Sequence, residues 1–493
     1  MKVRSSGKYR AGFATLEILI AFAIFALCMS GVLLITFGNQ FLLADSGLSS
    51  EGLRYADIGL EEAKASARAD FSSLVSSSTS ISGTVPFMED LAVFPITPCG
   101  KIATSSVRWN DGKRDVEISA AIFDRKEALR LGGDCVASPL SSSWNTVQNL
   151  ASDSTTGKPT AIDILGSTAY IGTDIPPFLA ASDVRATYLG QTSSLFTAFT
   201  NGFALKKAIN DIDVIGWHDP ATGDARRYAF LAMASTTEQL IVLDVTDIEN
   251  PAVTSRITLS SCVSGSAPQG YRVLYYGNRI YLSTKYTAGP EFHIFDADIP
   301  SLPVEIGFGS CKGTELGNTV NDFTAKEIRI GGSTRRFIFM ATDEADKELR
   351  TFDVTGDAPA EIAAANQDLP GVQNGQSVFL LGEKLYFGRQ SVPGGADLYI
   401  FDMHDPLSGT ATIGSADIGT GVTGIRVVEK YAFLSTPKVG KEIQVWDIGN
   451  PASMTNVSTY SDKGLIDQGI DLENDSLYAI STLAPNFRIL YGN

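Results

Sequence analysis

The longest hydrophobic run in the chain is Ile18 to Phe37, twenty residues without a charge, flanked by polar segments of opposite character. Lys2, Arg4, Lys8 and Arg10 precede it, and Asp45 and Glu51 follow. That length matches a helix crossing a bilayer core, and the basic flank predicts a cytoplasmic start with later residues exported. Downstream, Leu53, Ala56, Leu60, Ala63, Ala67, Phe71 and Leu74 recur every three or four positions, with Glu61, Glu62, Lys64 and Arg68 between them. This is the period of an amphipathic helix continuing the first. Helix over 13–75 would be on the order of 90 Å long, and Gly31, Gly38, Gly47, Gly52 and Gly59 predict a kink or melted stretch between Gly38 and Gly52.

Beyond the helix the pattern changes to alternation. The Ser-rich tract Ser72 to Ser82 predicts a loop, and residues 76–137 a small β domain. Within it, Asn110-Asp111-Gly112 separates the alternating runs Val107–Trp109 and Lys113–Ile118, the signature of a hairpin. Ser138 to Ser143, with Pro139, predicts a linker.

From residue 144 to 493 the pattern repeats. A turn followed by an aromatic-containing strand recurs at Gly166–Tyr170, Gly277–Tyr281, Gly382–Tyr386, Glu429–Phe433 and Asn474–Tyr478, with longer-turn copies ending in Tyr228–Leu231 and Phe337–Met340. In most copies a second strand follows and ends in an acid: Asp244, Asp296, Asp353, Asp402 and Asp447, whose successive differences are 52, 57, 49 and 45 residues. That spacing is the length of one four-stranded propeller blade. Turns containing Pro251, Pro406 and Pro451 then lead into an outer strand. Seven copies are counted. The last has no outer strand of its own, and Trp144–Leu150 is expected to supply it and close the ring.

Charge narrows the partners. The formal net charge of −16 becomes −20 without residues 1–12, since 35 basic residues then face 55 acidic ones. An acidic body excludes nucleic acid and anionic membrane surfaces as partners of the bulk protein. Cys28 lies in the apolar helix, while Cys99 with Cys135, and Cys262 with Cys311, form local pairs that suit two disulfides in an exported chain, four free thiols being the alternative. His218, His293 and His404 are the only histidines, and no His/Cys/Glu spacing suggests a metal site. Asp471, Glu473 and Asp475 imitate part of a calcium loop but fall at a hairpin turn. The repeated strand-end acids are expected to accept backbone hydrogens in their turns. With no triad order, phosphate loop or dinucleotide fingerprint, the sequence predicts no catalytic residue, no cofactor and no enzyme.

Gly12, Phe13 and Glu17, in front of an apolar helix, resemble the class 3 signal of type IV prepilins and secretion pseudopilins. The resemblance implies cleavage after Gly12 by a prepilin peptidase, N-methylation of Phe13, and pairing of Glu17 with the terminal amine of a neighbouring pilin or pseudopilin subunit, which would neutralise a carboxylate otherwise costly in a membrane. A secretory signal cut near Leu42-Leu43-Ala44 and a plain membrane anchor are the competing readings. The hairpin around Trp109 resembles the small sheet of minor pilins and pseudopilins. The Leu-x-Ile-x-Asp strands and Asn-Pro turns resemble LVIVD-repeat β-propellers. Together these imply an α+β pilin-like stem followed by an all-β seven-bladed propeller. The implied protein is a minor or tip subunit, held first in the inner membrane and then at the cell surface or on an extracellular pilus, with the propeller binding an unidentified surface ligand or protein. The alternatives are a secretion-system pseudopilin or a membrane-tethered propeller enzyme.

Overall fold

The computed structural model describes residues 11–493 except 70, 72–73, 82–84, 98–99, 111, 124–142, 166–167, 177–178, 184–196, 199–204, 219–224, 249, 260–267, 308–311, 462–464 and 474. For 11–18, 31–44, 68–69, 95–97, 181–183, 197–198, 218, 225 and 465–468 it describes the backbone only. The chain divides into two compact units, Met1–Asp124 and Arg125–Asn493.

In the first unit, α1 (Ala11–Ala69) is one continuous helix, so no melted stretch interrupts it between Gly38 and Gly52. The reason lies in what two of the glycines face. A Cβ at Gly52 would stand 2.9 Å from the Trp109 ring, and one at Gly59 would overlap the Glu89 carboxylate. These glycines let a sheet lie close against the helix, and the packing gained there offsets their poor propensity. The sheet has the order β1 (Ser77–Ile81), β2 (Phe87–Thr97), β3 (Gly100–Trp109), β4 (Arg114–Phe123).

Part of the Ser-rich tract is therefore β1 rather than loop. Its side chains are largely exposed, as suits an edge strand paired on one side only, and hydroxyls such as Ser78, which donates to Asp90, satisfy that side. The predicted hairpin is present, with Trp109 opposite Arg114 and both Asn110 and Gly112 at positive φ. Ala56, Leu60 and Ala63 of α1 are buried with Ala103, Val107, Trp109 and Ile122 of the sheet. Lys101 donates to the Phe71 and Leu74 carbonyls at 2.8 and 2.9 Å, fixing the chain where it leaves the helix.

Burial along α1 is uneven. Leu19, Ile20, Phe22, Ile24, Phe25, Leu27 and Met29 are all exposed, Leu27 by 77%. Among the described residues no helix is long and apolar enough to cross a membrane.

The second unit is a multi-blade β-propeller. Among its described residues are seven four-stranded antiparallel sheets, six of them formed by consecutive strands. In the remaining sheet three strands, Leu465–Glu473, Ser476–Ser481 and Phe487–Gly492, come last in the chain, and the fourth is Val147–Asp153, paired from Val147 opposite Gly492 to Asp153 opposite Phe487. Trp144 seals this join. It is fully buried at φ 53°, donates to Asp475 at 3.1 Å, meets Phe433 edge-on, and fills space that a side chain at Gly492 would need. The hydrophobic clusters lie between adjacent sheets, for example Phe230 and Leu240 against Val273 and Ile280, so each sheet is covered by its neighbours.

Candidate functional site

The propeller is organised around its innermost strands, the first of each sheet: Pro159–Leu165, Ile209–His218, Gly270–Tyr276, Val320–Ile330, Gly375–Leu381, Gly424–Val428 and Leu465–Glu473. Each sends a polar side chain onto the segment that follows it around the ring. Asp163 accepts the Val214 amide at 2.5 Å, and Asp211 and Asp213 accept those of Val273 (2.9 Å) and Tyr275 (2.5 Å). Arg272 donates to the Asn321 carbonyl at 2.6 Å, and Asp322 accepts the Val378 amide at 2.8 Å. Ser377 donates to the Val422 carbonyl at 3.0 Å, Arg426 to Asp471 at 2.8 Å, and Asp471 accepts the Ile164 amide at 2.8 Å. All seven boundaries are bridged, so the bonds form an unbroken polar girdle.

The girdle is acidic and low in dielectric. Burial pushes the Asp213 carboxyl up to about 7, with Asp211 and Asp471 adding repulsion, and pushes Asp322 up to about 6. Burial first, then Asp471 and Asp213, also hold Asp163 well above the usual carboxylate range. The Arg426 guanidinium is within electrostatic reach of Asp163, Asp211, Asp213, Asp322 and Asp471, side chains from four other sheets. This arrangement can hold protons near neutral pH and fix the sheets relative to one another. Among the described residues no group of three His, Cys, Asp or Glu side chains could hold a metal ion.

A second polar series surrounds the first. The residue just before each third strand is buried at Gln239, Glu291, Glu348, Asp397, Glu442 and Asn486. Five of them hold the loop leading to the next sheet: Gln239 accepts from Leu259, Glu291 from Leu316, Glu348 from Leu369, Asp397 from Ile418, and Asn486 from Thr155. Burial raises the pKa of Glu291, Glu348 and Asp397. At the position whose amide donates to the carbonyl of this series, Thr284, Thr342, Thr436 and Ser481 recur, but Met233 and Arg389 stand in two copies; Arg389 is fully buried, 3.3 Å from the equally buried Glu348 of the preceding sheet.

The residues singled out from sequence divide as follows. Gly12, Phe13 and Glu17 lie in the backbone of α1, with side chains outside the described set. Cys99, Cys135, Cys262 and Cys311 lie outside the described residues, and Cys28 is an exposed free thiol. The strand-end acids each accept the amide two residues on: Asp244 from Thr246, Asp296 from Asp298, Asp353 from Thr355, Asp402 from His404 and Asp447 from Gly449, at 2.9–3.2 Å. His293 is buried against Glu305 and the Pro290 carbonyl, while exposed His404 contacts Glu383. Asp471 and Asp475 belong to the girdle and to the Trp144 seal respectively. Sequence reasoning missed both polar series. The second had left a visible sign, an Asn, Asp, Gln or Glu immediately before the apolar start of the third strand.

No protein-family profile and no curated protein matches the chain. Solved structures do resemble it in fold. A Bacteroides fragilis protein named as a candidate 6-phosphogluconolactonase is 10% identical, with 76% of this chain and 95% of that one covered at a TM-score of 0.40. YCF48 bound to a D1 peptide is 12% identical, covering 72% and 100% at 0.43. The periplasmic gluconolactonase of Pseudomonas aeruginosa is 10% identical, covering 62% and 90% at 0.39. The expectation that this chain is not an enzyme is corrected on this finding: structures of similar fold carry enzyme names, so the absence of familiar motifs does not exclude catalysis. At these identities the likeness is one of fold alone and transfers no activity.

Proposed function

We propose that this chain is a minor or tip-located subunit of the type IV pilin kind that displays its propeller for adhesion or for binding a partner at the cell surface. The observation that carries this reading is the divided burial of α1. From Gly52 the helix packs on its own sheet, whereas seven large apolar side chains between Leu19 and Met29 stand in the open. Such a surface needs a non-aqueous partner, and a helix whose described side chains from Leu19 to Ser30 are all bare suits insertion in the inner membrane before assembly and packing among other subunits afterwards. The glycines that admit the sheet against the second half, Gly52 and Gly59, fit the same division between an exposed stem and a packed head.

In this reading a prepilin peptidase cuts after Gly12, Phe13 becomes the methylated N-terminus, and Glu17 pairs with the terminal amine of a neighbouring subunit. The propeller, built from repeats resembling the LVIVD kind, contributes a broad surface for one partner.

N-terminal sequencing of the mature chain tests the proposal. A start at methylated Phe13 is expected, and Glu17→Ala should be cleaved but fail to enter filaments. A start near Asp45, or normal filament entry of the variant, would remove the pilin reading.

A further inference from the structure

We propose that the polar girdle is a proton-operated clamp, holding the ring of sheets together more firmly when some of its aspartates are protonated than when all are ionised. The geometry is that of a closed circuit. Five carboxylates, Asp163, Asp211, Asp213, Asp322 and Asp471, and two guanidiniums, Arg272 and Arg426, lie on inner strands and join consecutive sheets. Full ionisation leaves a net charge of 2 − 5 = −3 in this girdle, counting only these seven residues.

The groups facing these aspartates come from every inner strand. Pro159–Leu165 contributes Asp163, Ile209–His218 contributes Asp211 and Asp213, and Gly270–Tyr276 contributes Arg272 with the Val273 and Tyr275 amides. Val320–Ile330 contributes Asp322, with Lys326, Glu327 and Arg329 further along, Glu327 being engaged by Arg336. Gly375–Leu381 carries no charged residue and contributes Ser377 and the Val378 amide. Gly424–Val428 contributes Arg426, and Leu465–Glu473 contributes Asp471 and Glu473, the Asp467 side chain lying outside the described set.

Protonation keeps the bridges and removes the repulsion. A neutral carboxylic acid still accepts an amide through its carbonyl oxygen and gains an O–H donor, whereas crowded carboxylates in a low-dielectric interior oppose one another. Burial favours the neutral forms of Asp213 and Asp322, which titrate at about 7 and about 6 rather than at 3.8. The folded ring therefore binds more protons than the unfolded chain between those values. The stabilisation is full below 3.8 and is lost as pH rises to about 6 for Asp322 and about 7 for Asp213.

Thermal unfolding of the full chain in detergent, followed by tryptophan fluorescence, tests the clamp. The Tm of the propeller transition is expected to fall by roughly 3 °C or more between about pH 5 and about pH 8. Asp213→Asn combined with Asp322→Asn should make that fall clearly smaller, Asp163 and Asp211 supplying the remainder, which separates the girdle from Glu291, Glu348 and Asp397. If the double variant does not fold, each single variant should remove part of the fall. A wild-type Tm that is flat or rising over this range, or variants that retain the whole fall, would overturn the proposal.

Discussion

The units Met1–Asp124 and Arg125–Asn493 cover their hydrophobic surfaces by different means. In the first, a four-stranded sheet lies on the second half of a 59-residue helix and leaves the apolar side chains of residues 19–30 bare. In the second, the faces of the sheets are covered by neighbouring sheets, the ring is joined by a strand from far upstream, and two polar series fasten one sheet to the next. One unit leaves part of its apolar surface uncovered, and the other covers its own. The contrast also separates a use of small side chains from a use of buried charge. Gly52 and Gly59 admit a neighbouring layer, whereas the buried ions of the propeller act as fasteners.

The strongest way to break that contrast is Arg389→Ala, which leaves Glu348 buried without its cation. A loss of about 3–5 kcal/mol is expected for removing one partner of such a pair, read as a lowered denaturation midpoint of the propeller. Gly52→Val attacks the first unit instead. Its side chain must displace the Trp109 ring, and a loss of about 1–3 kcal/mol is expected, confined to the transition reported by Trp109. The smallest effect is expected from Asp353→Ala, which removes the acceptor for the Thr355 amide and the partner of Arg335 at 2.8 Å. A loss of about 1 kcal/mol is expected in denaturant titrations near neutral pH. Burial alone would raise the Asp353 carboxyl, but Thr355 and Arg335 hold it below its ordinary value. Its contribution is therefore present above 3.8 and lost as pH falls through the lowered value, so wild type and variant should converge in strong acid. That acid limb has the opposite sign to the girdle.

Local regularities were legible in the sequence. The aromatic strands, the acid closing most third strands and the Pro-containing turns recur sheet by sheet, and the bonds made by those acids span two residues, as from Asp244 to Thr246. The hairpin at Asn110–Gly112 was legible for the same reason. The girdle was not. Asp163 meets Val214 across 51 residues, and Asp471 meets Ile164 across 307, so no window of sequence contains both partners. An aspartate such as Asp213, alternating with Ile212 and Val214, reads locally as a solvent-facing position. The continuity of α1 was misread because propensity takes no account of the sheet that Gly52 and Gly59 accommodate. The Ser-rich tract was misread because β1 draws its regularity from pairing with β2 rather than from its own composition.

The join between Val147–Asp153 and Phe487–Gly492 carries a consequence for the order of biogenesis. A strand made early must wait, unpaired, until residues more than three hundred positions later have been synthesised. Contacts so distant in sequence form slowly, and the open ring exposes a strand edge until they do. Closure thus works as a completeness check: a chain cut short before Phe487 cannot seal around Trp144, and it presents to proteases and chaperones an unpaired margin that the finished molecule lacks.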